Sequence, residues 1–206
     1  MYDLAIIGGG PGGYVAAERA GAKGLKVVIF EKREMGGVCL NEGCIPTKTL
    51  LYSAKQYYNA RNAAKYGVSA EGVSFDYQKM QQRKQKVVRK LVAGVRQKLN
   101  NDNCTVVTGE AQVLSRTDQS VCILCNGEQY EAQTLLIATG SQNFVPPIPG
   151  LQNNPYVWNS TDALNSKELP SSIVIVGGGV IGMEFATLYH ELGISVTVVE
   201  AIDRKS

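Results

Sequence analysis

Histidine is nearly absent: the 206 residues hold one, His190. This excludes Ser/His and Cys/His catalysis built from these residues alone. His190 stands well past the start of a helical segment and reads as a packed or surface residue. Long apolar runs are also missing. The longest, Ile173 to Met183, is broken by three consecutive glycines and Gly182, too short to span a bilayer. Met1-Tyr2-Asp3-Leu4 lacks the basic start and long apolar core of a signal peptide. The formal net charge of +3 is too small to imply a nucleic-acid partner. Five cysteines are an odd number and far from the density of secreted disulfide scaffolds. The expected setting is therefore a reducing cytoplasm, without membrane or nucleic acid, where any disulfide is catalytic.

Glycine, by contrast, is plentiful at 22, which points to tight turns or close backbone approach to a ligand. Leu4 to Ile7 is an apolar run ending in Gly8-Gly9-Gly10-Pro11-Gly12-Gly13. An alanine-rich helical segment follows to Ala22, and then a second strand from Lys26 to Phe30 closed by Glu31. Strand, glycine turn, helix, strand and acid make the dinucleotide-binding unit, with GxGxxG at Gly8, Gly10 and Gly13. The glycines admit a pyrophosphate at the helix N-terminus, and Glu31 would accept ribose hydroxyls.

The unit repeats. A shift of 169 positions carries Gly8, Gly10, Gly13, Gly24 and Glu31 onto Gly177, Gly179, Gly182, Gly193 and Glu200. One chain therefore carries two dinucleotide sites. At the second, Glu200 favours NAD over NADP, because a 2′-phosphate needs a cation there; Arg204 stands nearby.

Between the units, residues 50–64 read as a helix and Asp76 to Leu99 as a longer one. Val88, Val92, Val95 and Leu99 fall at helical spacing on the second. It carries eight Lys/Arg against one acid, read as a solvated face of an antiparallel helix pair. Residues 104–114, 120–125 and 130–134 read as strands, with Asn126-Gly127 as a two-residue hairpin turn. Cys122 and Cys125 form a CxxC. In a strand they point to opposite faces, and no second ligand pair exists. Leu135 to Ile137 is a further apolar strand running into Ala138-Thr139-Gly140-Ser141. Pro146-Pro147-Ile148-Pro149-Gly150 reads as a linker, which sets a boundary between domains 1–146 and 147–206.

Cys39 and Cys44 stand five positions apart in Gly36-Gly37-Val38-Cys39-Leu40-Asn41-Glu42-Gly43-Cys44-Ile45-Pro46-Thr47-Lys48. In a regular helix such Cα atoms are roughly 8–9 Å apart, whereas a disulfide wants about 4.4–6.8 Å. The pair closes only on a distorted backbone, which Asn41 and Gly43 tolerate. Pro46 suits a first helical turn, so Cys44 lies near a helix N-terminus, where an anionic sulfur is favoured. On spacing alone, a redox pair and two idle thiols stay equally open. Two nucleotide sites around such a pair suggest an electron relay.

Together these pieces resemble the flavoprotein pyridine nucleotide-disulfide oxidoreductases, and within them the dihydrolipoamide dehydrogenase branch. Gly36 to Lys48 is the most specific element, with Leu40 and Ile45-Pro46-Thr47 pointing to that branch over glutathione and mercuric reductases. The resemblance implies an α/β fold: a Rossmann-like FAD domain with a helical pair and a β-meander, then the first βαβ unit of a Rossmann-like NAD domain. It implies FAD contacts at Gly8, Gly10, Pro11, Gly12, Gly13, Glu31, Lys32, Gly36, Gly37, Val38, Cys39, Cys44, Lys48, Ala111, Thr139, Gly140 and Ser141. NAD contacts are implied at Gly177, Gly179, Val180, Ile181, Gly182, Glu184 and Glu200. Lys48 and Glu184 match a charged pair beside the flavin and join Cys39 and Cys44 as catalytic residues.

The implied reaction is oxidation of protein-bound dihydrolipoamide. A substrate thiolate attacks Cys39 of a Cys39–Cys44 disulfide, and electrons pass through FAD to NAD⁺. The implied partners are a lipoyl-bearing protein of a 2-oxo acid dehydrogenase or glycine cleavage system and a second subunit of a homodimer. The family extends well past position 206. The rest of its NAD domain, a later FAD segment and a dimerisation domain with the His–Glu base would lie outside these residues. The chain accordingly reads as an N-terminal part, expected to lack lipoamide turnover alone.

Overall fold

The computed structural model describes residues 1–201. By its contacts the chain divides into two compact units. The first comprises Met1–Cys44 and Val88–Phe144; the second comprises residues 45–87 and, of the described chain, 145–201.

The first unit is built on a six-stranded sheet. Strands β1 (Tyr2–Ile7), β2 (Val27–Glu31), β3 (Cys104–Thr108), β4 (Gln112–Arg116), β5 (Val121–Cys125) and β6 (Glu128–Ile137) lie in the order β3-β2-β1-β6-β5-β4. The β1–β2, β2–β3 and β1–β6 pairs are parallel; β4–β5 and β5–β6 are antiparallel. Val27-Val28-Ile29-Phe30 is buried throughout, the unbroken apolar run that a parallel strand covered on both faces requires. Alternation divides it. Val28 and Phe30 join Ala5, Ile123 and Ala132 in one core, while Val27 and Ile29 join Ile6, Ala17, Met35 and Leu99 in another. Full burial of each such large side chain stabilises by roughly 1.5–3 kcal/mol. Helix α1 (Pro11–Ala22) packs closely enough that a methyl group on Gly21 would lie 1.7 Å from the Asp102 carbonyl oxygen.

Two strand readings need correction. The single strand expected over 104–114 is two, β3 and β4, parted at Gly109. There the chain passes tightly beneath the β5–β6 turn: a methyl on Gly109 would lie 2.6 Å from Cys125 Sγ. Conversely, the strands expected at 130–134 and 135–137 are one. β6 pairs antiparallel with β5 up to Ala132, and parallel with β1 from Ala132 to Ile137. The Asn126-Gly127 turn forms as expected, both residues at positive φ. Cys122 and Cys125 do part across the strand, the first half-buried and the second buried.

In the second unit, β7 (Ser172–Val176), α6 (Val180–Glu191) and β8 (Ser195–Val199) form a parallel βαβ unit with Ile173 opposite Val196. Its core joins Phe185, Leu188, Tyr189 and Leu192 of α6 to Leu50 and Ala54 of α3 (Cys44–Arg61) and to Ala163 and Leu164 of α5 (Ser160–Asn165). Helix α4 (Tyr77–Asn101) begins in this unit and ends in the first, where Val92, Val95 and Leu99 line the core. Several of its cations have specific partners. Lys84 is buried and donates to the Leu164 carbonyl at 2.5 Å, satisfying an orphan acceptor at the α5 C-terminus; burial lowers its pKa. Arg96 and Lys98 pair with Glu34 and Glu18. No helix among the described residues is long and apolar enough to cross a membrane.

One core group is poorly served. The Tyr189 hydroxyl is buried without a hydrogen-bond partner among the described residues. Such a group costs about 1–3 kcal/mol, so Tyr189→Phe is expected to raise the unfolding free energy by about 1 kcal/mol at pH 7. Burial raises the Tyr189 pKa, with Tyr77 adding to the effect. Its protonated form is thus favoured by folding, and that contribution is lost as pH rises beyond the ordinary tyrosine value of about 10. The advantage of Tyr189→Phe should therefore widen above pH 10. Urea melts of both proteins at pH 7 and above pH 10 check both points; equal melts at both would refute them.

Candidate functional site

The carboxyl ends of β1, β2 and β6 bring the first group of candidate residues together. β1 ends in Gly8, at φ 111°, whose N–H donates to the Phe30 carbonyl at 2.8 Å. The Ile7 carbonyl accepts from Ala138 N at 2.8 Å, which sets Ala138-Thr139-Gly140-Ser141 beside the glycine turn. Thr139, Gly140 and Ser141 are exposed. Helix α1 starts at Pro11, with extended Gly10 as its N-cap and no side chain capping it. Gly13 lies against the Gly8 carbonyl; a methyl there would sit 1.8 Å from the oxygen. Glu31 ends β2 and accepts from Gly9 N at 2.7 Å and Arg33 N at 2.8 Å. Lys32 pairs with Glu110 at 3.2 Å. Ala111 packs on the Phe30 side of the sheet.

The cysteine stretch docks on the same turn. Gly36 N donates to the Gly9 carbonyl at 2.7 Å. Gly36 and Gly37 both adopt positive φ, 101° and 59°, and a methyl on Gly37 would lie 2.6 Å from Gly10 Cα. Backbone thus lies on backbone, and helix α2 (Gly37–Glu42) starts from that contact. Cys39 is half-buried in α2, Val38 before it is exposed, and Cys44 is exposed at the first position of α3. Gly43 separates the two helices, at φ −141° and ψ −112°. This is the backbone break the spacing called for. A methyl on Gly43 would lie 3.0 Å from the Val38 carbonyl oxygen, so the break packs closely on the backbone of α2. Pro46 falls in the first turn of α3, as expected.

In the second unit the repeat extends to geometry. Gly177 has φ 107° and donates to the Val199 carbonyl at 2.8 Å. Gly179 is the extended, uncapped N-cap of α6. A methyl on Gly182 would lie 2.1 Å from the Gly177 oxygen. Glu200 accepts from Gly178 N at 2.6 Å. A cleft of about 430 Å³ opens over this turn, lined by Gly178, Gly179, Val180, Met183, Glu184 and Leu51. Ile181 is exposed in the first turn of α6. Glu184, which lines this cleft, forms an ion pair with Lys48. Arg204 lies outside the described residues.

Gly9 and Gly178 escaped the sequence reading. Their N–H groups fix the two acids, and a side chain at either would crowd the carboxylate: a methyl would lie 3.0 Å from Glu31 Oε2 and 3.2 Å from Glu200 Oε2. The signal was present, since both repeats hold glycine there. Asn41, expected to tolerate the distorted backbone, stands instead within helix α2, where its amide donates to three carbonyls. His190 is exposed on α6, its ring 6.4 Å from that of Tyr58.

Both turns fit a dinucleotide. Each offers a helix N-terminus without a side-chain cap, glycines lying flat against backbone, and a carboxylate at the end of the next strand. The model of the pyridine nucleotide-disulphide oxidoreductase family matches residues 2–205. A dihydrolipoyl dehydrogenase of Acholeplasma laidlawii is 45% identical over 98% of this chain and 60% of its own length. One of Bacillus subtilis is 46% identical over 98% of this chain and 44% of its own. Among solved structures, the HOCl-induced flavoprotein disulfide reductase RclA of Escherichia coli superposes with a TM-score of 0.79 at 35% identity, covering 98% of this chain and 43% of that one. LpdA of Mycobacterium tuberculosis gives a TM-score of 0.88 at 26% identity, covering 99% and 46%. The chain thus spans between about two-fifths and three-fifths of the length of these relatives.

Proposed function

The chain belongs to the pyridine nucleotide-disulphide oxidoreductase family, and from that premise we propose that the whole protein oxidises protein-bound dihydrolipoamide to lipoamide with NAD⁺ as acceptor. The observation that carries this reading is the placement of Cys39 and Cys44 on either side of a helix break, docked on the first glycine turn. The first domain, 1–146, holds FAD through the Gly8–Gly13 turn, Glu31, Lys32, residues 36–38, Ala111 and residues 139–141. The second domain, from 147, holds NAD through Gly177, Gly179–Gly182, Glu184 and Glu200.

A thiolate of the substrate attacks Cys39 Sγ, breaking the Cys39–Cys44 bond, and Cys44 leaves as a thiolate at the start of α3, where the helix dipole stabilises it. The second substrate thiolate then displaces Cys39. Lipoamide leaves with its ring disulfide closed, two electrons poorer, and the cysteine pair is reduced. FAD, held by the residues named above, would supply the two-electron chemistry that links the reduced cysteine pair to NAD⁺. Lys48, four residues after Cys44 on α3, holds a positive charge paired with Glu184. Glu200 accepts the adenosine ribose hydroxyls and repels a 2′-phosphate.

The partner in this reading is a lipoyl-bearing protein of a 2-oxo acid dehydrogenase or glycine cleavage system, the whole protein is a homodimer, and the compartment is the cytoplasm. The test is reconstitution of the whole protein with FAD, followed by NADH formation from dihydrolipoamide. A yellow protein that forms NADH supports the reading. A yellow protein inert toward dihydrolipoamide but active on another disulfide favours a reductase of the RclA kind, the family of the 35% identical structure. A protein that takes up no FAD sinks both.

A further inference from the structure

We propose that Asn41 is a positioning residue that sets Cys39 for exchange with Cys44. The proposal rests on the reading of those cysteines as the redox pair.

Helix α2 has six residues, too few to hold its own shape. Its N-cap is Gly36 in the left-handed region, with no side-chain cap. Something else must fix its axis. The Asn41 amide, in the last turn of α2, donates back to the Gly37 carbonyl at 3.0 Å and the Met35 carbonyl at 3.1 Å, with the Glu34 carbonyl at 3.5 Å. Three carbonyl oxygens converge on one group, so only an amide nitrogen can face them. Those carbonyls belong to the turn whose next N–H, that of Gly36, is bonded to Gly9. Met35 beneath it is fully buried. Asn41 thus ties the far end of α2 to a turn that is itself tied to the glycine loop. Cys39 lies between the two anchors, two residues after Gly37 and two before Asn41. Disulfide geometry tolerates little displacement, so loosening one anchor lowers the effective concentration of one thiol at the other.

The test is an equilibrium in the whole protein: glutathione disulfide plus the reduced pair gives the Cys39–Cys44 disulfide plus two glutathione thiols. Trapping by alkylation and peptide mass spectrometry gives the effective concentration of the pair. Asn41→Leu should lower it about tenfold by removing the donors. Asn41→Asp should lower it further, since a carboxylate would face three carbonyl oxygens. Asn41→Ser, without charge or bulk, serves if the aspartate variant does not fold. A merely structural residue would lower the melting temperature and leave the effective concentration unchanged. Values within twofold of the parent for the folded variants overturn the proposal alone. A parent chain that forms no Cys39–Cys44 disulfide overturns the redox-pair reading and this proposal together.

Discussion

Alanine at Gly13 will lower the stability of the first unit by about 3 kcal/mol or more and abolish FAD retention. The added methyl would lie 1.8 Å from the Gly8 carbonyl oxygen, 3.0 Å from its carbon and 3.3 Å from Ile6 Cγ2. The first two are backbone atoms, which cannot swing aside as a side-chain end can. Gly8 has nowhere to go: it sits at φ 111°, is bonded to Phe30, and abuts the Ala138 carbonyl. Relief would have to come from tilting α1 away from β1, which opens the core around Ala17 and Ile6. Gly24 gives the contrast. It has φ 86° but nothing within 4 Å, so Gly24→Ala should cost only about 1 kcal/mol, the strain of a left-handed backbone. Gly12 would meet only Ala138 Cβ at 3.7 Å, so Gly12→Ala should fold normally. Any loss of FAD there reports the ligand contact and not the fold. Urea melts, with flavin absorbance after gel filtration, separate these cases. A Gly13→Ala protein within 1 kcal/mol of the parent would show that the turn yields.

The same contact explains why so much of the fold was legible in the sequence. A turn that presses helix backbone onto strand backbone admits only glycine, so Gly8 and Gly13, and again Gly177 and Gly182, declare the geometry by their identity. The acids at Glu31 and Glu200 follow because β2 and β8 run parallel to their neighbours and end level with the turn. The β4–β6 region was read less well. Whether residues 128–137 form one strand or two depends on partners, since β6 changes neighbour at Ala132 without a break in its own extended backbone. Propensity does not report that. The cysteine break lies between these extremes. Asn41 and Gly43 marked a distortion and Pro46 a helix start, but the contacts that hold the break, from Gly36 to Gly9 and from the Asn41 amide to three carbonyls, leave no periodic trace.

Serine in place of either Cys39 or Cys44 will stop dihydrolipoamide oxidation by the whole protein, with a fall of about 10⁴-fold or more. Exchange needs one sulfur to be attacked and another to leave. With one gone, the Cys39–Cys44 disulfide that takes the substrate's two electrons cannot form. The three other cysteines of this chain cannot substitute. Cys104 is buried, its thiol bonded to the Ala17 carbonyl at 3.2 Å, and burial raises its pKa, with Asp102 adding to the effect. Cys125 is buried in a strand, its pKa also raised by burial. Both are held as thiols, the unreactive form. Cys122 points to the other face of β5. Serine at Cys122 should therefore leave the rate within a few-fold. Alanine at Cys104 or Cys125 should cost on the order of 1 kcal/mol of stability with the rate likewise preserved. A rate that survives Cys44→Ser, or collapses with Cys104→Ala in a protein that still melts normally, would move the redox pair away from the helix break. The outcome is sharp because the two classes differ in what surrounds the sulfur: Cys44 stands exposed at a helix N-terminus, while Cys104 and Cys125 are sealed in the sheet's cores.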